Sequence, residues 1–190
     1  MARLRFVAWA ALAVAFLGVV DIYLVYRDYR VDGRLSITTT VLVWALYLLH
    51  AGLTMYAAWY GLVALPLPRV AAMLVGALVL LVGVVIAAVG VREFRSVSRM
   101  SGRDEDELVT TGVYRWSRNP QNVGWLLALA GVGIIGRSAL ALGLVGLFAL
   151  LFHGYLVTVE EPHLDRVFGS DYRRYLARTP RYVGRFPSQT

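Results

Sequence analysis

The sequence contains no cysteine, and its 19 basic residues are all arginine. The first absence excludes disulfides, a thiolate zinc site and a cysteine nucleophile. Charge is scarce as well: 16% of the 190 residues are charged and 58% are hydrophobic. That balance excludes disorder and exceeds the apolar share of an ordinary soluble domain, roughly 45–50%. Runs of about 20 apolar residues are long enough to cross a bilayer. Several are present, so residues 1–190 read as a single polytopic membrane domain. The arginines behind the net charge of +7 flank hydrophobic runs. Attraction to anionic lipid headgroups explains that placement better than nucleic acid does.

Five hydrophobic segments are expected to span the membrane, at about 6–26, 37–65, 70–91, 123–136 and 139–159. The opening "MARLRFVAWAALAVAFLGVV" has the composition of a signal peptide. The spans that follow favour a retained first span. "LPLPR" (Leu65 to Arg69) breaks spans two and three, as proline pairs do. Gly136-Arg137-Ser138 turns the last two, short spans into a hairpin. Arg27, Arg30 and Arg34, the arginines of 92–122 and those of 160–190 fall on one side. Only Arg3, Arg5, Arg69 and Arg137 fall on the other. The positive-inside rule then puts the loop 92–122 and the tail 160–190 in the cytoplasm. The expected fold is an all-α integral membrane protein of a bacterial cell membrane. In the tail, Leu164, Val167, Phe168, Tyr172, Tyr175 and Leu176 recur at helical spacing opposite Asp165, Arg166, Arg173 and Arg174. That pattern predicts an amphipathic surface helix, which Gly169 interrupts.

The hairpin gives meaning to the stretch "YRWSRNPQNVGW" (Tyr114 to Trp125). The start of the hairpin, after "SRNPQN", and its end, before "EEPH", must lie on one membrane face. Arg118, Asn119 and Gln121 are thereby expected to face Glu160 and Glu161, as the wall of a pocket. Acids at such a depth are costly, so a carboxylate there suits a cationic ligand or a proton. Arg118 suits a bidentate carboxylate. The plainer readings are a helix ending at the headgroups and a headgroup-binding arginine. Pro120 suits the first turn of a helix.

Other features read as structural. Gly131-Val132-Gly133-Ile134-Ile135-Gly136 matches a dinucleotide fingerprint, but no strand or βαβ unit surrounds it. Small residues in a hydrophobic hairpin permit close helix packing instead. Gly76, Gly83 and Gly90 suggest a close-packed groove, with a cofactor against it as the alternative. His50 and Asp21 are intramembrane ionisable groups and so functional candidates, each without an identifiable partner. His153 and His163 near Glu160 are too few for a metal site, so none is expected.

Three pieces of the region from about Gly90 to Arg185 carry a resemblance: "LVTTGVYRWSRNPQNVGW" (Leu108 to Trp125), "EEPHL" (Glu160 to Leu164) and "FGSDYRRYLARTPRY" (Phe168 to Tyr182). Their order and separation resemble the integral-membrane methyltransferases related to isoprenylcysteine carboxyl methyltransferase and phospholipid N-methyltransferase. The resemblance implies S-adenosylmethionine as methyl donor, bound by Glu107, Leu108, Val109, Tyr114, Asn119, Pro120, Gln121, Asn122 and Glu160, with Arg99 as an extension into the preceding loop. It implies catalytic roles for Glu160, Glu161 and Arg118, and a lipid or lipid-linked substrate. Asn119 stands where the family usually has histidine, and Asn122 where it usually has tyrosine. Leu156 stands in the region where isoprenylcysteine enzymes place an arginine. That leucine, together with "EEP" (Glu160 to Pro162), which resembles the phospholipid branch, favours a phospholipid-like amine or another small lipid over a prenylcysteine carboxylate. The alternatives are a nicotinamide-dependent membrane reductase of the sterol type and a non-catalytic membrane binding or transport protein.

Overall fold

Glycine spacing sets the closest helix pair. The computed structural model describes residues 1–93 and 108–184, and the expected cofactor residues Arg99 and Glu107 lie outside them. The helices are α1 (Ala2–Val31), α2 (Ile37–Trp59), α3 (Arg69–Glu93), α4 (Pro120–Ile135), α5 (Ala139–Tyr155), α6 (Glu161–Phe168) and α7 (Ser170–Arg178). A 3₁₀ turn (Gly112–Arg115) precedes α4, and a π turn (Leu156–Glu160) joins α5 to α6. Among the described residues no strand forms beyond one isolated bridge, between Ala64 and Ser138.

α3 and α4 meet backbone to backbone. A Cβ placed on Gly83 would come within 2.7 Å of Gly124 O, and one on Gly76 within 2.8 Å of Gly131 O. Gly124 and Gly131 face back onto Gly83 and Gly76 in the same way. Without side chains at these positions the two backbones approach closely, the small-residue packing typical of membrane helices. The groove of Gly76, Gly83 and Gly90 is therefore filled by α4. The glycines of the apparent dinucleotide fingerprint serve helix contacts too: Gly131 meets α3, and a Cβ on Gly133 would come within 2.8 Å of Leu142 on α5.

Among the described residues four helical stretches are long and apolar enough to cross a membrane: α1, α2, α3 and the continuous run Ala139–Phe168. α4 is a shorter apolar helix of 16 residues, about 24 Å at 1.5 Å per residue. The boundaries differ from the expected ones in three places. α1 runs from Ala2 to Val31 because its flanking arginines continue the helix while their heads reach outward. α2 ends at Trp59, not near Leu65, since Gly61 and Val63 adopt φ of +55° and +56°. The last long helix continues beyond Val159 through the π turn. Pro162, lacking an N–H, cannot close the bond to the carbonyl four residues back, and the widened turn directly precedes it.

The segment after α2 is stitched to the tip of the α4–α5 hairpin. Leu65 N donates to Arg137 O at 2.7 Å, Ala139 N to Val63 O at 2.9 Å, and Ser138 Oγ to Leu62 O at 2.6 Å. Ser138 also caps α5 by accepting from Ala141 N at 3.1 Å. At the other end of α2, Ser36 caps the helix by accepting from Thr39 N. Ser36 N itself donates to Asp28 Oδ2 at 3.1 Å, and Arg27 pairs with Asp28 at 2.9 Å, which ties α1 to α2. Near the C-terminus Gly169, at φ +52°, separates α6 from α7. Tyr172 and Tyr175 turn inward against Tyr114, whereas Val167 is exposed.

Candidate functional site

The chain before α4 and the chain after α7 are tied together where the long helices end. Arg118 N donates to Pro180 O at 3.0 Å, and Asn119 Nδ2 to Arg181 O at 3.2 Å. Glu161 accepts from both sides of this seam. Its Oε1 lies 2.8 Å from Arg118 Nη1 and 2.7 Å from Arg181 Nε, and its Oε2 lies 2.8 Å from Arg181 Nη2. The Arg181 contact is a bidentate fork, the strongest form of such a pair. Hydrogen bonding to Glu161 holds the Arg181 guanidinium above its ordinary pKa.

Above this clamp lies a cavity of about 650 Å³. Its polar end is built by Tyr114, Arg118, Gln121, Asn122 and Glu160, with Leu108 and Val109 beside them. Tyr114 is held in place from two directions. Its hydroxyl donates to Gln121 Oε1, and its carbonyl accepts from Tyr175 Oη at 2.8 Å. Asn122 Oδ1 accepts from Tyr47 Oη at 2.8 Å. Burial pushes the hydroxyls of Tyr114 and Tyr175 upward, and burial followed by the nearby Glu161 charge pushes Tyr172 to about 12. All three remain protonated donors at neutral pH. The rest of the wall is aromatic and apolar, with Trp44, Tyr47, Trp125, Phe148, Phe152 and Tyr155 prominent. Two buried donors on it, Arg118 Nε and Trp125 Nε1, have no hydrogen-bond partner among the described residues.

Of the residues expected at the site, Leu108, Val109, Tyr114, Arg118, Gln121, Asn122 and Glu160 line this one cavity. Asn119 is buried beneath it and spends its amide on the tail, while Pro120 opens α4. Glu161 is turned away into its pair with Arg118 and Arg181, so Arg118 Nη1 is already occupied by a carboxylate of the chain itself. Asp21 lines the cavity from α1. His50 does not: its Nε2 lies 2.9 Å from Leu144 O and its ring stacks on Phe148, as a core histidine. His163 stacks on Tyr29 at 3.7 Å and His153 bonds Tyr182 Oη, so the two histidines do not converge. Among the described residues no group of three His, Asp or Glu side chains could hold a metal. Tyr47, Trp125 and Arg181 went unmarked in the sequence. Tyr47 and Trp125 sit among many apolar aromatics, and only the fold shows which of them face the cavity.

These features define an all-helical protein of membrane type, with a cavity polar at the helix ends and aromatic along its depth. The chain belongs to the phospholipid methyltransferase family, whose model matches residues 71–171. Among curated relatives, protein-S-isoprenylcysteine O-methyltransferase of Xenopus laevis is 31% identical over 87 residues, covering 46% of this chain and 30% of that protein. A probable protein-S-isoprenylcysteine O-methyltransferase of Oryza sativa subsp. indica is 30% identical over 105 residues, 53% of this chain and 55% of that protein. A nickel-cobalt-cadmium resistance protein of Alcaligenes xylosoxydans xylosoxydans is 30% identical over 105 residues, 55% of this chain and 48% of that protein. The match thus spans about half or less of each of these relatives. No solved structure matches the chain.

Proposed function

We propose that this protein transfers a methyl group from S-adenosylmethionine to a lipidic acceptor, at the cytoplasmic boundary of a membrane that it crosses five times as one domain. The observation that carries this reading is the cavity of about 650 Å³. It joins motif residues from both ends of the hairpin, Tyr114 to Asn122 and Glu160, to an aromatic wall running into the apolar interior. A polar donor from the cytosol and a lipid from the bilayer can meet only at such a boundary. The arginine distribution supports the orientation, with α6 and α7 on the cytoplasmic side.

The polar end fits the donor. Leu108 and Val109 offer an apolar surface, Glu160 offers a carboxylate for a cation, and the spare Arg118 Nε and Trp125 Nε1 donors await an acceptor. When bound, S-adenosylmethionine supplies an electrophilic methyl group on a sulfonium. Everything else falls to the chain. Glu160, beside the Tyr155 hydroxyl, faces the cationic part of the donor and takes the proton that an amine acceptor loses, directly or through water. Tyr114 fixes Gln121 and Tyr47 fixes Asn122, which holds the reactants in line. Glu161 positions Arg118 and does not itself meet the substrate. The aromatic wall excludes water.

A phospholipid-like amine or other small lipid fits better than a prenylcysteine carboxylate. Leu156 is wholly buried against Phe148 and Phe152, and among the described residues no cation stands there to receive a carboxylate. Titration of the purified protein with S-adenosylhomocysteine and with NADPH tests the donor. Selective binding of S-adenosylhomocysteine is expected, and selective binding of NADPH overturns the reading in favour of a reductase. Labelled S-adenosylmethionine with a total lipid extract should give a labelled lipid. Robust methylation of a farnesylcysteine analogue, with none in the extract, reverses the acceptor ranking.

A further inference from the structure

α1 carries two buried acids, and the structure treats them differently. Asp28 is compensated by the Arg27 guanidinium at 2.9 Å and the Ser36 amide at 3.1 Å. Asp21, two turns earlier, is 9% exposed and lines the cavity. Among the described residues no hydrogen bond or ion pair reaches it. Gly18, Asp21, Ile22, Val25 and Tyr29 form one helical face of α1 toward the cavity. That face is set by close packing, since a Cβ on Gly18 would come within 2.7 Å of Leu151 on α5. The helices packed against α1 bring no cation to this depth. α2 and α5 contain no arginine, and their only basic residues are His50, bonded to Leu144 O, and His153, near the end of α5.

The two cavity carboxylates sit at different depths. Tyr29 stacks on His163, which levels the two chains there. From Tyr29 to Asp21 α1 runs about 12 Å, and from His163 back to Glu160 the chain runs about 5 Å, at 1.5 Å per residue. Asp21 therefore lies roughly 7 Å deeper than Glu160. An ionised carboxylate on a largely apolar wall is costly unless a cation or donor meets it. Among the described residues none pairs with Asp21, which leaves that place open to a ligand.

We propose that Asp21 is the acceptor-recognising residue of this cavity, holding the amine of a lipid headgroup while Glu160 serves the donor end. This deepens the methyltransferase reading and rests on it for the word acceptor. Trp44 and Tyr47 line the same cavity and give a cation aromatic faces as well as a carboxylate. A headgroup bearing a carboxylate instead would meet like charge at Asp21. The residue therefore selects for amines. Asp21 lies outside the matched residues 71–171, on a helix whose sequence shows only a generic span.

The test uses the whole chain in phosphatidylcholine nanodiscs with three probes of one chain length: dodecylamine, dodecanol and dodecanoate. Binding is read from tryptophan fluorescence, Trp44 and Trp125 being on the wall. Wild type should bind dodecylamine at least tenfold more tightly than dodecanol, and dodecanoate least. Asp21→Asn and Asp21→Ser should each bring amine and alcohol within twofold, and Asp21→Glu should keep the preference. Both neutral variants should keep the wild-type helical circular dichroism and melting temperature, which shows that they are folded, and should bind S-adenosylhomocysteine as wild type does. Equal binding of amine and alcohol by wild type overturns the proposal, and so does a preference that persists in either folded neutral variant. Failure of wild type to bind S-adenosylhomocysteine overturns the donor assignment alone, because the amine comparison does not depend on the donor.

Discussion

Arg118 Nη1 and Glu161 Oε1 lie 2.8 Å apart although 43 residues separate them in sequence. The pair closes a seam between the chain entering α4 and the start of α6, and Arg181 doubles it from the tail. Both partners are largely shielded, with side chains 11% and 17% exposed.

Glu161→Gln should loosen this seam. Hydrogen bonds to charged groups are worth about 1.5–3 kcal/mol each, and the substitution leaves two guanidiniums facing a neutral amide. Thermal unfolding in detergent should shift down, and limited proteolysis should cut near Pro180 sooner than in wild type. A tail as resistant as before would show that the clamp holds nothing.

Glu160→Gln should leave the fold intact and weaken S-adenosylhomocysteine binding by about 1.5–3 kcal/mol, the range for a hydrogen bond to a charged group. Arg173→Gln, whose exposed side chain pairs with Asp165, should leave that affinity unchanged. Calorimetry on the folded variants, alongside methyl transfer, checks this. Unchanged binding and turnover in Glu160→Gln would reduce the double glutamate to a helix end.

Gly83→Ala should destabilise by overpacking, about 1–3 kcal/mol, since the added methyl meets the α4 backbone near Gly124. Gly143→Ala, where nothing lies within 4 Å, should stabilise α5 slightly or leave it unchanged. Comparing the two melting temperatures isolates the helix–helix contact from helix propensity.

Alkaline pH should open the tail. Tyr172 ionises near 12 in the folded protein against its ordinary value of 10.0. A raised pKa of this kind contributes stability below the unfolded value and loses it as pH rises through the folded one. The packing of α7 on Tyr114 should therefore weaken between about pH 10 and 12. Tyr172→Phe should remove part of that dependence, as tyrosinate absorbance and circular dichroism would report.

The sequence revealed most where charge and polarity interrupt apolar runs. The hairpin of α4 and α5 was legible because Arg137 marks its turn and polar clusters mark its ends. The pairing of α3 with α4 was foreshadowed by Gly76, Gly83 and Gly90 but not assigned, because regular glycines announce a close neighbour without naming it. The resemblance set Glu160 apart as the cofactor residue, but the clamping of Glu161 was not legible in the residues themselves. Adjacent residues on a helix point about 100° apart, and only the position of Arg181 decides which is clamped and which faces the cavity. The end of α2 was missed because Leu62 to Leu67 is as apolar as the span before it. The positive φ of Gly61 and Val63 interrupts the helix there without any change in hydropathy.

The cavity wall has two origins. Tyr114, Gln121, Asn122 and Glu160 belong to the matched stretch 71–171, whereas Asp21, Trp44 and Tyr47 come from the two helices before it. Those helices make their own close contacts with the hairpin, Gly18 against Leu151 and Gly136 against the Ala58 backbone, while the α3–α4 glycine contact lies wholly within the matched stretch. Substitutions confined to the side chains that α1 and α2 turn to the cavity would then redraw one side of the chamber and leave the α3–α4 contact in place. Grafting the first two helices of one family member onto the second half of another becomes a practical way to exchange what such a protein accepts while keeping what it gives.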